Sequence, residues 1–353
     1  MKYPTLLAFS ELVHQLDHFD QIIDVRSPAE FALDHIPGAI NCPVLTDAER
    51  IRVGTMYKQV SSFEAKKLGA ALVAKNIAMH IEEQFLPHSR EWKPLIYCWR
   101  GGNRSGAMAL ILAKIGWPVV QLDGGYQAYR RHLNVELPEL VKRFHYRVIC
   151  GTTGSGKSRL LQALNNSGAQ VLDLEQLASH RGSVLGDLPS EPQPSQKSFE
   201  SAIWNTLRFF DSSQFVYVES ESKKVGNCRV PAELIDCIRA ADCIHLQTST
   251  KLRVALLMQD YAHFISRPDQ LIKRLHYLTA LHGKEKIRHW EELVNHNLLA
   301  ELVHELLDTH YDPAYLRSIT RNFPQLTQTP ITQLNGITGQ DFLHMAQQLM
   351  TPN

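Results

Sequence analysis

Residues 145–162 have the sequence HYRVICGTTGSGKSRLLQ and set the architecture of the second half of the chain. The apolar run before Gly151 predicts a buried strand, and the residues after Lys157 have the spacing of an amphipathic helix. Between them, residues 151–158 match the pattern GxxxxGK[ST] at every defined position. Glycines let the backbone fold closely around phosphate oxygens, and N–H groups at the start of the next helix face the anion. The stretch therefore predicts a strand, a phosphate-binding loop and a helix within an α/β domain.

We call residues 151–158 the P-loop. Lys157 is expected to meet the terminal phosphate, and the Ser158 hydroxyl is expected to bind Mg²⁺. A carboxylate at the end of a neighbouring strand would complete the metal shell, and Asp173 and Glu219 are the candidates. For each of these acids a strand-end or helix-capping role is an equally good interpretation, so no metal site is certain. The residues expected to bind phosphate are Gly151, Gly154, Ser155, Gly156, Lys157 and Ser158.

Short apolar runs alternate with helical patterns through the first 250 residues, which is typical of parallel sheets built from βαβ units. We predict one α/β domain over 1–137 and a second over 138–353, with a helical C-terminal region from 251 onward. Residues 187–197 contain three prolines and are predicted to form a mobile loop. The predicted strands are 22–25, 95–98, 119–122, 146–150, 170–174, 215–218 and 244–247.

Composition supports an ordinary globular chain. Its 353 residues are enough for two domains, and 44% hydrophobic with 21% charged residues excludes a low-complexity or collagen-like protein. The net charge of +1 neither indicates nor excludes nucleic-acid binding. Six cysteines without zinc-site spacing are expected to be reduced thiols. We find no signal peptide and no apolar run long enough for a membrane span, so a cytoplasmic location is expected.

A second loop, residues 97–105 with the sequence YCWRGGNRS, places a cysteine after a predicted strand and before a predicted helix. We call residues 98–105 the cysteine loop. The helix N-terminus together with Arg100 and Arg104 favours negative charge, so the loop is expected to cradle an anion and to keep Cys98 as a thiolate. Such a thiolate can attack sulfur, selenium or phosphorus. Cys98, Arg100 and Arg104 are therefore the candidate catalytic residues, the alternative being a cysteine that is merely buried.

Four segments resemble, in order and spacing, the successive signatures of a rhodanese domain. They are DVRSPAEF at 24–31, HIPGA at 35–39, the cysteine loop and LDGGY at 122–126. One departure is that five residues rather than four separate Cys98 from Arg104, a spacing shared with cysteine-dependent phosphatases and arsenate reductases. Tyr97, however, occupies the position of the phosphatase histidine.

A rhodanese-like domain followed by a P-loop NTPase-like domain, with the segments LDLE at 172–175 and HRGS at 180–183, resembles the tRNA 2-selenouridine synthase family. The resemblance implies that selenium from selenophosphate replaces the sulfur of wobble 2-thiouridine in tRNA. It also implies an S-geranylated intermediate made from geranyl diphosphate, whose pyrophosphate the P-loop would bind, with Mg²⁺ as a candidate ion. Cys98 would carry selenium or position selenophosphate together with the two arginines.

The partners implied are the anticodon stem-loop of a tRNA bearing 2-thiouridine and an enzyme that produces selenophosphate. Trp99 is a candidate for stacking on the flipped base, with packing inside the loop as the alternative. Residues 251–290 carry eight Lys and Arg against three acids, whereas residues 291–353 carry two against seven. The basic stretch is either a tRNA-binding face or a solvated helix face. Its candidate contacts are Arg253, Lys273, Arg274, Lys284 and Arg288.

Two other functions fit the residues. The first is a nucleotide-hydrolysing P-loop protein whose rhodanese-like domain only senses or docks. The second is a thiol enzyme that transfers sulfur, or that acts like a phosphatase on the longer cysteine loop. The loop 181–197 is a further candidate for closing over the diphosphate or contacting the anticodon.

Overall fold

The computed structural model describes residues 3–183, 186, 192–265 and 267–351. The chain divides into two units, Met1–Leu137 and Pro138–Asn353, which we call unit 1 and unit 2. Within the described residues, each helix is too short or too polar to cross a membrane. All six cysteines are free.

Unit 1 contains a five-stranded parallel sheet in the order β1-β5-β4-β2-β3. Its strands are β1 Thr5–Leu7, β2 Gln21–Asp24, β3 Ala39–Asn41, β4 Pro94–Tyr97 and β5 Val120–Leu122. Its helices are α1 Phe9–Leu12, α2 Pro28–Leu33, α3 Asp47–Gln59, α4 Ser62–His80, α5 Asn103–Ile115 and α6 Gly125–Leu140. β4 is central and every one of its residues is buried, which explains why its sequence is a continuous apolar run. Because β2 and β4 are parallel neighbours, their carboxyl ends lie side by side at the same end of the sheet.

Unit 2 contains a second five-stranded parallel sheet, in the order β12-β11-β6-β8-β7. Its strands are β6 His145–Cys150, β7 Gln170–Leu172, β8 Phe215–Glu219, β11 Asp242–Thr248 and β12 Ile331–Leu334, and a separate antiparallel pair is formed by β9 Lys224–Val225 and β10 Cys228–Arg229. Its helices are α7 Lys157–Asn166, α8 Leu174–Leu177, α9 Gln196–Leu207, α10 Ala232–Ala240, α11 Thr250–Asp260, α12 Ala262–Ile265, α13 Pro268–Leu275, α14 Thr279–Asn295, α15 Leu299–Leu306, α16 Asp312–Asn322 and α17 Gly339–Met350.

Short one-turn segments complete the fold. They are the 3₁₀ turns Leu16–His18, Val141–Arg143, His276–Leu278 and Pro324–Gln328, and the π-helical turns Ile81–Phe85 and Leu307–Tyr311. The predicted α/β architecture of both halves is confirmed, including the placement of β6 directly before the P-loop. β6 lies between β11 and β8, so the P-loop emerges at the centre of the sheet.

The predicted helical region from residue 251 onward is confirmed, and it also contains one strand that was not predicted, β12. This strand pairs in parallel with β11, with Ile331 opposite His245 and Leu334 opposite Thr248. It has four residues and only Leu334 is buried, so its apolar pattern is too short to distinguish it from a loop. The sequence of β12 does not predict a strand; β12 forms because it pairs with the free edge of β11.

The predicted mobile loop over 187–197 falls partly outside the described residues, at 187–191. The prediction is wrong for residues 196 and 197, which begin α9, because the Ser195 side chain caps this helix by accepting from the Ser198 N–H. Gln193 is also held, since its Nε2 donates to the carbonyls of Ala178 and Val225.

Candidate active sites

The P-loop leaves the carboxyl end of β6, and α7 begins at Lys157. Gly154 and Gly156 have φ angles of 76° and 93°, a left-handed backbone that favours glycine. A Cβ atom at Gly154 would lie 2.8 Å from the Leu257 Cδ1 atom, and one at Gly156 would lie 2.8 Å from the Phe342 ring. Glycine is therefore required at both positions, by the backbone conformation of the turn and by the close packing of Leu257 and Phe342 against it.

Hydrogen bonds hold the loop in a closed turn around Lys157. The Lys157 Nζ donates to the Gly151 carbonyl at 3.0 Å, and the Thr248 Oγ1 donates to the Ser155 carbonyl at 2.8 Å. Ser155 is buried, and within the described residues its hydroxyl has no hydrogen-bond partner. An ammonium group beside a glycine-rich turn at the start of a helix is suited to bind phosphate oxygens.

Three carboxylates lie close to the start of α7, and we call Glu175, Glu219 and Glu221 the carboxylate cluster. One oxygen from each lies within 4.8 Å of the others. The Ser158 Oγ donates to Glu175 Oε2 at 3.1 Å, which joins the P-loop to the cluster. Glu219 is 1% exposed, and within the described residues its Oε1 has no hydrogen-bond partner. The cluster and the Ser158 hydroxyl are hard oxygen donors, the set that fits Mg²⁺.

Burial governs the charge of this cluster. It raises the pKa of Glu175 to about 8, with the neighbouring charge of Glu221 acting in the same direction and Lys157 opposing it. Burial likewise raises the pKa of Glu219 well above its ordinary value, and that of Glu221. A bound cation would oppose these shifts, because it favours the charged form of each carboxylate.

The two predicted metal candidates separate in the structure. Glu219 belongs to the carboxylate cluster, whereas the Asp173 Oδ1 accepts from the Gln176 N–H at 2.8 Å and caps α8. Of the two roles predicted for Asp173, helix capping is therefore the one observed. Sequence reasoning missed Glu175 and Glu221; the available signal was the alternation of Glu219 and Glu221 at the end of β8.

We expect Mg²⁺ binding to strengthen as pH rises, because Glu175 must lose its proton to become a ligand. With a pKa of about 8, one proton released per ion makes the affinity roughly 20-fold higher at pH 8.5 than at pH 6.5. Isothermal titration calorimetry in two buffers of different ionisation enthalpy measures both the affinity and the released proton. The Glu175→Gln variant should bind more weakly with a flatter pH profile. An affinity independent of pH in the unaltered chain would contradict this assignment.

The cysteine loop follows β4 and leads into α5. Cys98 is 3% exposed, and the Ser105 Oγ donates to its Sγ at 3.2 Å. Gln121 Nε2 donates to the Gly101 carbonyl at 2.8 Å and to the Ser105 Oγ at 3.2 Å. One side chain on β5 thus holds both the turn of the loop and the hydroxyl that contacts the sulfur.

Residues 124–127 pack against the back of the loop. The Tyr126 N–H donates to the Cys98 carbonyl at 2.8 Å, and the Gln127 N–H donates to the Trp99 carbonyl at 3.0 Å. Gly125 has a φ of 54°, and a Cβ atom there would collide with the Cys98 carbonyl oxygen. The glycines of this segment permit the close approach that fixes the sulfur-bearing residue.

The two arginines of the loop differ in their surroundings. Arg100 is exposed. Arg104 donates to Glu30 Oε2 at 2.8 Å. Burial raises the pKa of Glu30, but the hydrogen bond and the charge of Arg104 outweigh burial and lower this pKa to about 2. Glu30 also pairs with Arg50, so it balances only part of the charge of Arg104. The role of Arg104 toward an anion in the loop stays a prediction. Arg100 is the arginine of the loop that is left exposed to an incoming anion.

Trp99 is half-buried. Its ring centre lies 5.3 Å from that of Tyr126, whose ring also contacts the Arg26 guanidinium at 4.0 Å. Arg26 is in turn held by Asp24. Trp99 therefore packs beside Tyr126, and its stacking on a base stays a prediction.

The basic stretch does not act as a single surface. Arg253 is 5% exposed; it donates to Asp312 at 2.9 and 2.5 Å, and its Nε donates to the Thr153 carbonyl at 2.9 Å. Its prediction as a tRNA contact is therefore wrong, because the acidic 291–353 stretch pairs with it and it supports the P-loop instead. Lys273, Lys284 and Arg288 are exposed, and Arg274 is half-buried.

Comparison with known proteins covers both units. The family model described as the tRNA 2-selenouridine synthase AAA domain matches residues 144–276, and the rhodanese-like domain model matches residues 8–132. The chain is 37% identical over 244 residues to a tRNA 2-selenouridine synthase of Nitrosomonas europaea, covering 68% of this chain and 63% of that relative. With the synthase of Sulfurovum sp. it shares 37% over 246 residues, covering 68% and 65%. With that of Alcanivorax borkumensis it shares 31% over 332 residues, covering 85% and 90%.

Proposed function

The chain belongs to the tRNA 2-selenouridine synthase family, and we propose that it is a tRNA-modifying transferase that replaces the sulfur of wobble 2-thiouridine by selenium. The observation that carries this proposal is the presence in one chain of a held cysteine thiol and a P-loop joined to a carboxylate cluster. These two sites suit the two chemical steps that the exchange requires.

The first step is S-geranylation in unit 2. The thiocarbonyl sulfur of the uridine attacks the allylic carbon of geranyl diphosphate, the C–O bond breaks and pyrophosphate leaves with the bonding electrons. The uridine releases its N3 proton as the S-geranyl nucleoside forms. The P-loop amides and Lys157 stabilise the charge that develops on the leaving oxygens. Mg²⁺ bound by the carboxylate cluster and Ser158 would supply further positive charge. The step uses no nucleotide hydrolysis.

The second step depends on Cys98 in unit 1. A thiocarbonyl sulfur is a poor leaving group, but once alkylated it departs as geranylthiol after taking a proton. Selenium from selenophosphate adds at the same carbon, and water takes the phosphoryl group as inorganic phosphate. We assign Cys98 the role of positioning selenophosphate, because carrying the selenium as a perselenide would require an oxidant that the reaction does not supply. Arg100 is an exposed positive charge in the same loop. The Ser105 hydroxyl donates to the Cys98 sulfur and holds it in place.

Nucleoside mass spectrometry tests the proposal. The purified chain is incubated with 2-thiouridine-containing tRNA, geranyl diphosphate and selenophosphate, and each small molecule is omitted in turn. We expect a geranylated nucleoside when selenophosphate is absent and its conversion to 2-selenouridine when selenophosphate is added. Unchanged tRNA under every condition would overturn the proposal; strong ATP turnover or thiosulfate sulfurtransfer would then favour a nucleotide hydrolase or a sulfurtransferase.

Binding of tRNA should depend on the exposed basic residues of unit 2. Reversing the charge of Lys273 and Lys284 to glutamate is expected to weaken tRNA binding about tenfold or more and to lower the slope of log affinity against log salt by about 2, because two phosphate contacts are lost. Filter binding at salt concentrations from about 50 to about 200 mM measures both the affinity and its salt dependence.

A matched control exists on α16. Arg317 and Arg321 are also exposed in unit 2, and changing both to glutamate alters the net charge equally. This control should leave the salt slope unchanged. Equal effects of the two double variants would mean that general charge, and not the 251–290 face, determines the affinity.

A further inference from the structure

A helical hairpin projects from unit 1, and the mechanism above makes no use of it. It consists of α3 and α4, which pack against each other, and we call residues 47–80 the hairpin. A Cβ atom at Gly69 would lie 3.4 Å from the Val53 Cγ1 atom, so the two helices approach closely. α3 itself has no buried residue, whereas the carboxyl end of α4 contributes Ile77 to the core of unit 1. The hairpin is therefore anchored at its base and exposed at its turn.

The base of the hairpin lies beside the cysteine loop. α3 begins at Asp47, shortly after the carboxyl end of β3, and the strands of this sheet are parallel, so both features lie at the same end of the sheet. Ion pairs connect them, because Glu30 accepts from Arg50 of α3 at 3.1 Å and from Arg104 of the cysteine loop at 2.8 Å. A substrate that reaches Cys98 therefore arrives next to the hairpin.

The hairpin carries most of the positive charge of unit 1. Residues 50–80 contain six Lys and Arg against one acid, whereas unit 1 outside residues 47–80 contains nine against eleven. All six basic side chains are exposed, and they are Arg50, Arg52, Lys58, Lys66, Lys67 and Lys75. Among the described residues, Arg52, Lys58 and Lys66 have no ion-pair partner. Charge complementarity therefore favours a polyanion as the partner of this surface.

The turn of the hairpin exposes large apolar side chains. Tyr57, Val60 and Phe63 are 56%, 74% and 66% exposed. Apolar side chains that lie singly on a surface need no explanation, but a group of them marks an interaction site. The Lys67 Nζ atom lies 5.1 Å from the centre of the Phe63 ring, so positive charge and an aromatic face occur together. Aromatic rings among basic side chains bind unpaired nucleotides, because the rings stack on bases while the charges contact phosphates.

The dimensions of the hairpin also fit an RNA. The 13 residues of α3 rise about 1.5 Å each, so the turn lies roughly 20 Å from the base. A nucleic acid whose reacting base lies at Cys98 extends over such a distance, whereas a small molecule does not. A protein partner is less favoured, because lysine is depleted at the centres of protein interfaces and three exposed lysines accompany the aromatic rings in sequence.

We propose that the hairpin is a tRNA-binding arm of unit 1, in which Arg52, Lys58 and Lys66 contact phosphates and Tyr57 and Phe63 stack on unpaired bases. This inference rests on the proposed function, because it takes the tRNA to be the polyanion. It adds a binding surface in unit 1 to the exposed basic residues of unit 2. Since the hairpin belongs to the unit that holds the cysteine loop, its contacts serve the selenium step.

Filter binding of tRNA to the full chain tests the inference. The Arg52→Glu/Lys58→Glu variant should bind about tenfold more weakly and lower the slope of log affinity against log salt by about 1.5, since each lost phosphate contact accounts for about 0.7–0.9. The Tyr57→Ala/Phe63→Ala variant should bind at least about tenfold more weakly with an unchanged slope, because base stacking releases no counterions. All four residues are exposed, and the melting temperature of each variant shows whether it is folded.

Matched controls lie at the opposite end of the same sheet. Tyr3 is 70% exposed and precedes β1. Arg90 is exposed before β4, and Lys114 is exposed at the end of α5. The Tyr3→Ala and Arg90→Glu/Lys114→Glu variants remove a ring and reverse two charges without altering the hairpin. Both controls should keep the affinity and the salt slope of the unaltered chain.

The selenium step provides a second readout. With pre-geranylated tRNA and selenophosphate, both hairpin variants should raise KM for tRNA about tenfold and leave kcat unchanged, because the hairpin binds the RNA away from the reacting base. Equal tRNA affinity in the unaltered chain and both hairpin variants would overturn the inference and leave a protein partner to cover the turn. Equal losses in the controls would also overturn it, because general charge or surface area would then determine the affinity.

The outcomes separate the two proposals. If the hairpin variants bind tRNA normally while the unaltered chain forms 2-selenouridine, the inference fails and the proposed function stands. If the hairpin variants bind tRNA weakly but the unaltered chain never modifies it, the hairpin is an RNA-binding surface and the proposed function fails.

Discussion

The Lys157→Ala variant should lose geranylation of tRNA by a factor of about 10²–10³, the effect typical of removing one preorganised group that stabilises a developing negative charge. The Lys157 ammonium contacts the Gly151 carbonyl over the loop and opposes the raised pKa values of Glu175 and Glu219. Its loss therefore removes a phosphate contact and also makes the carboxylate cluster harder to ionise. Mass spectrometry of the nucleosides, with selenophosphate omitted, measures the geranylated product directly.

Lys142→Ala is the control for this prediction, because Lys142 is an exposed lysine of unit 2 outside residues 251–290. It should geranylate normally. Inorganic pyrophosphate should compete with geranyl diphosphate in the unaltered chain and in this control. Undiminished geranylation by Lys157→Ala would exclude the P-loop as the site of the diphosphate.

The Cys98→Ala variant should make no detectable 2-selenouridine while still geranylating tRNA. The reason is that the thiol lies in the rhodanese-like unit, held by Ser105 and by the backbone of residues 124–127, whereas the P-loop belongs to unit 2. Supplying pre-geranylated tRNA with selenophosphate should not rescue the product. We expect a loss of at least about 10³-fold, as for removal of the reacting group of other thiol and hydroxyl enzymes.

Cys237→Ala provides the matched control, since Cys237 is a free, half-buried cysteine in unit 2. It should form both products at the normal rate. Loss of geranylation together with selenation in Cys98→Ala would refute the division of labour, provided that the variant still binds pyrophosphate.

The fold followed from local signals in the sequence. β6, the P-loop and α7 are contiguous, and the glycine spacing, the preceding apolar run and the following helical period each reflect local backbone requirements. The cysteine loop was equally local, because β4, the turn and α5 follow one another directly. Both loops could therefore be predicted without any knowledge of tertiary contacts.

Charge pairing could not be predicted in this way. Arg104 and Glu30 are 74 residues apart, and Arg253 and Asp312 are 59 apart, so no helical or strand period relates them. The charges of residues 251–290 predicted either a tRNA-binding face or a solvated helix face, but Arg253 is buried and pairs with Asp312 of the following acidic stretch. Glu175 was missed for the same reason, since its role depends on its nearness to β8.

The pairing of β12 with β11 has a consequence for how the chain is synthesised. Leu334 and the Phe342 ring lie directly behind Gly156, so the P-loop rests on residues that are translated nearly two hundred positions after it. Until those residues emerge from the ribosome, β11 presents an unpaired edge on which another nascent chain could pair. The packing behind Gly156 is thus completed late in translation.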